Sequence, residues 1–219
     1  MVSRINMNNN KQSCLWFDGH IHYHNNRQSV DATLGSLLAQ HLPSDSVIDN
    51  DKVVVGFDAE WVAFPRMSKV CLVQLCFDGI ECHLIHLSAM DYYFPELLTQ
   101  LLTDDHFIKV GLNIAGDFNK LQRDYRLPFD DIVMSPNKSV IDLNYMAGKL
   151  LGFTKRMSLS DMSYKFLGQP ISKVQRLTNW SKNPLSDEQL QYAAIDAYAS
   201  YELYYEIKSH THHRQQQES

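Results

Sequence analysis

No stretch of this chain comes near the roughly 20 consecutive apolar residues that a membrane-spanning helix requires, which argues against a membrane protein. The opening residues, Met1-Val2-Ser3-Arg4-Ile5-Asn6, lack the apolar core of a secretory signal, which predicts an intracellular chain. Cysteine is scarce. Cys14, Cys71, Cys76 and Cys82 form no CxxC pair, and three of them sit inside apolar, strand-like runs. That argues against a disulfide framework or a zinc ribbon and fits buried thiols in a reducing compartment. Positive charge is not in excess either: the formal net charge is −5, so the local distribution of charge carries the information. Internal repeats and long linkers are missing. The 219 residues therefore read as a single domain over 14–209. A polar, Asn-rich lead over 1–13 and a Gln- and His-rich tail over 210–219 are expected to be disordered.

What is present centres on Val53-Val54-Val55-Gly56-Phe57-Asp58-Ala59-Glu60-Trp61. The β-branched run predicts a strand buried on both faces. Asp58 and Glu60 stand two residues apart, so in a strand they point to one side. Two like charges buried without a partner cost several kcal/mol, which calls for a cation, and a divalent metal ion suits two carboxylates. The same pair also reads as a strand end that has surfaced into a loop, where both acids are simply solvated.

Around that strand the chain alternates. Leu15-Trp16-Phe17 followed by Ile21 and Tyr23 predicts a hairpin turning near Asp18-Gly19. His20, His22 and His24 would share one strand face; with no carboxylate among them, they read as an exposed edge strand and not a metal site. A helix is expected over 29–40, ended by Pro43. Strands follow at 69–77 and 80–87 with a turn at Asp78-Gly79, then a helix begun by Pro95, a strand over 106–112 and a helix over 115–125. A short strand at 139–143, helices over 143–151 and 158–167, and a long closing helix over 185–207 complete the pattern. Ser186 and Gln189 supply a capping box for that last helix, and Tyr192 and Asp196 then share a face one turn apart. The whole predicts an α/β fold with a mixed sheet and helices on both faces. Asp117, after Gly116 in the first turn of its helix, is favoured there by the helix dipole whatever its role. Asp196 beside Tyr192 reads equally as a surface acid.

Taken together, Phe57-Asp58-Ala59-Glu60-Trp61, Gly116-Asp117 and Tyr192-Ala193-Ala194-Ile195-Asp196-Ala197-Tyr198 resemble the three motifs of the DEDD exonucleases, in order. Tyr192 is similar to the tyrosine branch, and Asn179-Trp180-Ser181-Lys182-Asn183-Pro184-Leu185-Ser186 to the Werner-type members, with ribonuclease D a more distant likeness. Gly116 stands where many members carry an aromatic, a departure that also looks Werner-type and leaves Phe118 without an assigned role. The resemblance implies a ribonuclease-H-like fold and hydrolysis of phosphodiester bonds from a free 3′ end, with two Mg²⁺ or Mn²⁺ ions held by Asp58, Glu60, Asp117 and Asp196. It implies that Tyr192 orients the attacking water, and it favours a nuclear location.

Charge is consistent with a nucleic-acid substrate. Residues 154–182 carry six basic residues, Lys155, Arg156, Lys165, Lys173, Arg176 and Lys182, against the single acid Asp161. A basic flank beside an acidic site suits a phosphate backbone. Arg176, Lys182, Lys155 and Arg156 are the candidate phosphate contacts, Lys165 reads as a solvated helix residue, and Trp61 either stacks on a terminal base or fills the core. DNA is favoured over RNA as partner. Helicase motifs are absent, so a helicase or repair partner would be a separate chain. The competing readings are a catalytically idle nucleic-acid-binding adaptor on the same fold and a small-molecule phosphodiesterase.

Overall fold

The computed structural model describes residues 13–42, 52–129 and 139–217, with side chains to 211. Among the described residues six strands form one sheet: β1 (His20–His24), β2 (Val53–Glu60), β3 (Leu72–Cys76), β4 (Glu81–His86), β5 (Phe107–Gly111) and β6 (Val140–Asp142), in the order β1-β4-β3-β2-β5-β6. The pairs β2–β3 and β3–β4 are antiparallel, while β1–β4, β2–β5 and β5–β6 are parallel. The mixed sheet is thus as the sequence predicts. The two centre strands are the apolar runs: β3 is buried along its whole length, and β2 nearly so. The β3–β4 turn is held by Asp78, whose Oδ1 accepts from the amides of Ile80 (2.9 Å) and Glu81 (2.8 Å), with Gly79 at φ 77°.

Helices cover both faces. On one side lie α1 (Arg27–His41), α2 (Glu96–Thr103) and α3 (Ile114–Tyr125), which bury Leu34, Leu98, Leu101 and Leu121 with Phe57, Val73 and Phe107 in a common core. Each such side chain stabilises the fold by roughly 1.5–3 kcal/mol. On the other side lie α4 (Leu143–Leu151), α5 (Leu159–Leu167) and α6 (Asp187–Gln217). Phe118 belongs to the core, its ring 5.1 Å from both Phe57 and Phe129. None of the described helices is long and apolar enough to cross a membrane.

Three expectations are corrected. The hairpin near Asp18-Gly19 does not form: 13–19 runs irregularly, Leu15 N–H donates to the Pro170 carbonyl (2.8 Å), and β1 pairs in parallel with β4. Leu15 and Phe17 instead bury in one cluster with Ala193, Ala194 and Ala197 of α6. β1 is an edge strand as expected, yet its imidazoles are not all solvated, because His24 is buried. Helix α6 continues past Ile207 to Gln217, so the tail over 210–219 is helical in its described part. The predicted lead falls outside the described residues apart from residue 13, as does Pro43.

One residue sets how closely the α6 layer approaches. A Cβ on Gly56 of β2 would stand 2.1 Å from the Ala197 carbonyl oxygen of α6 and 2.9 Å from Tyr201. Only glycine admits that approach. Gly56→Ala is therefore expected to lower unfolding stability by roughly 1–3 kcal/mol in urea titration, whereas Gly35→Ala on α1, where the new methyl meets nothing nearer than 3.8 Å, is expected to be neutral or stabilising.

Candidate active site

Alternation along β2 turns Gly56, Asp58 and Glu60 toward α6. The helix answers with buried small residues, Ala193, Ala194 and Ala197, and with Tyr192 and Asp196 one turn apart. Its start is fixed by the expected capping box: Gln189 N–H donates to Ser186 Oγ (3.3 Å) and Ser186 N–H to Gln189 Oε1 (3.1 Å). The Gln189 side-chain amide also donates to Thr178 Oγ1 (3.1 Å) and the Asn179 carbonyl (3.2 Å), tying down the segment before the helix. Within that segment Trp180 is fully buried against Tyr192, ring centroids 6.0 Å apart. Trp180 therefore acts as packing that positions the tyrosine.

Asp117 arrives by another route. After β5 the backbone turns at Asn113, held in a left-handed conformation at φ 55°, and α3 begins at once. Asn113 N–H donates to Asp142 Oδ2 (2.7 Å), and Asp142 also caps α4 through Tyr145 N–H (3.1 Å). Gly116 is explained here: a Cβ on it would meet the Asn113 side-chain amide at 2.5 Å. Glycine thus allows Asn113 to fold over the first turn of α3, which carries Asp117.

The result is one cavity of about 410 Å³ lined by Asp58, Glu60, Asp117, Tyr192, Asp196 and Trp61. Carboxylate oxygens of Asp58, Glu60 and Asp196 lie within 4.8 Å of one another. Asp117 stands outside that trio but close enough for the Asp58 charge to act on it. Asp117 and Asp196 are both buried, which excludes the surface reading of Asp196. Burial, acting first, pushes the Asp58 carboxyl up to about 7. Burial and then the neighbouring carboxylates hold Glu60, Asp117 and Asp196 well above the ordinary range. Arg176 opposes the rise at Asp58, Glu60 and Asp196. Burial, then the neighbouring acids and a hydrogen bond with Asp196, raise the Tyr192 phenol, so it does not ionise at neutral pH. Four acids crowded this way fit hard divalent cations, since every donor is a carboxylate oxygen and one guanidinium does not balance them.

The basic residues divide. Arg176 lines the cavity, and so do Lys173 and Leu177, which sequence reading did not single out. Lys155, Arg156 and Lys182 are exposed and outside the lining. Trp61 packs on the core and also lines the cavity, with Lys120 Nζ 5.1 Å from its ring centroid. Ser158 and Ser160 also line the site, Ser158 capping α5 in a box with Asp161 that the pattern Ser-x-x-Asp could have revealed.

A six-stranded mixed sheet with carboxylates gathered between a central strand and the closing helix is a ribonuclease-H-like fold; the Aedes aegypti Nibbler EXO domain superposes with a TM-score of 0.72 at 20% identity, covering 90% of both chains. The chain belongs to the 3′–5′ exonuclease family, whose model matches residues 39–212. It is similar to the bifunctional 3′–5′ exonuclease/ATP-dependent helicase WRN of Mus musculus, 34% identical over 88% of this chain and 13% of the mouse protein. A 3′–5′ exonuclease of Arabidopsis thaliana is 33% identical over 88% of this chain and 65% of its own length. The chain thus spans less than two thirds of these relatives.

Because the Asp58 pKa rises from 3.8 to about 7 on folding, the folded state holds that proton where the unfolded chain has lost it. With EDTA present, stability is expected to fall as pH rises from about 4 through about 7. Asp58→Asn removes one of the repelling charges and is expected to raise the metal-free melting temperature at pH 8 by roughly 2–4 °C per kcal/mol gained. Calorimetric melts at pH 5 and pH 8 measure both.

Proposed function

We propose that this chain is a metal-dependent 3′–5′ exonuclease that hydrolyses the terminal phosphodiester bond of a nucleic-acid strand and releases nucleoside monophosphates. The observation that supports it most is the meeting of Asp58, Glu60 and Asp196 within 4.8 Å, with Asp117 on the wall of the same cavity. Asp58, Glu60 and Asp196 would hold one Mg²⁺ or Mn²⁺, and Asp117 with Asp58 a second. Bound there, such ions supply charge neutralisation at the scissile phosphate and a more acidic attacking water.

The chain's own residues do the rest. Tyr192, un-ionised and anchored by Asp196, offers a phenol oxygen that orients the water by hydrogen bond; it is too weak an acid to serve as the base itself. Arg176 and Lys173 on the cavity wall bind backbone phosphate, while Trp61 and Leu177 give flat apolar surface to the terminal base. Lys155, Arg156 and Lys182, exposed on the same basic stretch, extend the phosphate path beyond the cavity. We read residues 14–209 as one exonuclease unit, DNA as the favoured strand and the nucleus as its place. A helicase partner is proposed from the mouse relative, whose name joins the two activities. With all four acids and Tyr192 gathered in one cavity, the idle adaptor reading is not favoured.

On a 5′-labelled oligonucleotide with Mg²⁺ or Mn²⁺, the protein is expected to shorten the strand from its 3′ end. Asp58→Asn and Asp196→Asn are expected to reduce this to background, and Tyr192→Phe to lower kcat on the order of 100-fold. Arg176→Gln is expected to act mainly on KM and to reduce the salt slope by about 1. Hydrolysis that persists in EDTA, or in Asp58→Ala, overturns the proposal.

A further inference from the structure

The opposite face of the sheet carries a second cluster of ligand-bearing side chains. Cys82 of β4 points to the α6 side, its thiol donating to the Ala194 carbonyl (3.6 Å), so alternation turns Glu81 and His83 to the α1 side. The parallel register sets His22 of β1 beside His83 and His20 beside Glu81. The His22 and His83 rings stack with centroids 4.8 Å apart, and His22 Nε2 contacts the Glu81 carboxylate. One ligand atom from each of His22, Glu81 and His83 lies within 4.8 Å of the other two. Together with His41 and Asp78, these three residues line a cavity of about 610 Å³ between the sheet and α1, in which no residue of the acidic centre takes part.

We propose that His22, Glu81 and His83 form a second metal site, one that takes a borderline transition-metal ion such as Zn²⁺ in preference to Mg²⁺. Two imidazoles and one carboxylate are the donor set of an open tetrahedral zinc site, whereas Mg²⁺ favours oxygen alone. Bonds of about 2.0–2.1 Å place tetrahedral ligands roughly 3.4 Å apart, a contraction that small rotations of the two surface side chains, His22 and Glu81, supply. His83 already has an outer partner: its Nδ1 faces His24 Nε2 at 3.4 Å, and His24 Nδ1 faces Ser29 Oγ at 3.1 Å, a chain that fixes the ring. Burial keeps the His83 imidazole neutral, as a ligand must be, its pKa pushed down to about 3. The fourth position opens on the cavity and is left for water or a small anion.

The site would join an edge strand to the interior of the sheet. His22 and Glu81 are 59 residues apart, so one ion would close a long loop and pin β1, the strand that follows the chain's N-terminal segment. The acidic centre uses a different face and different donors, so this proposal stands whether or not the chain cleaves nucleic acid.

The test is Zn²⁺ titration by calorimetry of the full chain carrying Asp58→Asn, which weakens competing binding at the acidic centre, and His212→Asn and His213→Asn, which remove the adjacent histidines of the C-terminal sequence. One Zn²⁺ per chain is expected, unaffected by millimolar Mg²⁺. Adding His22→Asn or Glu81→Gln, both surface changes, is expected to weaken binding by on the order of tenfold or more and to abolish the Zn²⁺-dependent rise in melting temperature. The proposal is overturned if no stoichiometric Zn²⁺ binds, or if neither substitution weakens it.

Discussion

The contact between β2 and α6 is the constraint on which the rest of this molecule depends. Backbone meets backbone there because Gly56 has no side chain and because alanines line the helix opposite it. Two residues beyond Gly56 stands Asp58, and one residue before Ala197 stands Asp196. The closeness of the two elements is therefore also the closeness of the two carboxylates. Widening the gap by the width of a methyl group would separate them, so here packing and chemistry are one requirement.

That requirement has an electrostatic cost which the fold carries in its metal-free form. Burial raises all four acids, and their mutual repulsion raises three of them further, with Arg176 as partial relief. Hydrophobic burial on both faces of the sheet supplies the stability that lets the site persist. The order of the supports is informative: a capping box fixes where α6 starts, a buried Trp180 fixes Tyr192, and Asp142 fixes the turn that delivers Asp117. Each support is a neutral or locally satisfied interaction. None adds a positive charge that would compete with a cation.

Much of this was legible in the sequence because it is local. The apolar run of β2, the same-side placement of Asp58 and Glu60, and the Ser186–Gln189 cap all depend on spacings of a few residues. What escaped is non-local. β1 is not half of a hairpin, and nothing in residues 15–24 encodes its pairing with the distant β4, His20 beside Glu81. For the same reason the histidines of β1 have no carboxylate beside them in sequence, while Glu81 and His83 come from that distant strand. The basic stretch over 154–182 was visible as composition, but which cations line the cavity depends on how the irregular segment after α5 folds back, and that selects Lys173 and Arg176 over Lys182. Gly116 stands out in the sequence as a departure, but its close contact with Asn113 depends on the turn geometry.

Helix α6 meets β2 at Ala197 and then continues for twenty residues, from Ala197 to Gln217, about 30 Å of helix. Its next turns are clamped: Leu203, Tyr204 and Ile207 are buried in one cluster with Val54 of β2, Val110 of β5 and Met146 of α4. Asp196 lies at the inner end of that clamp, so a load on the turns beyond Ile207 meets close-packed side chains before it meets the carboxylate.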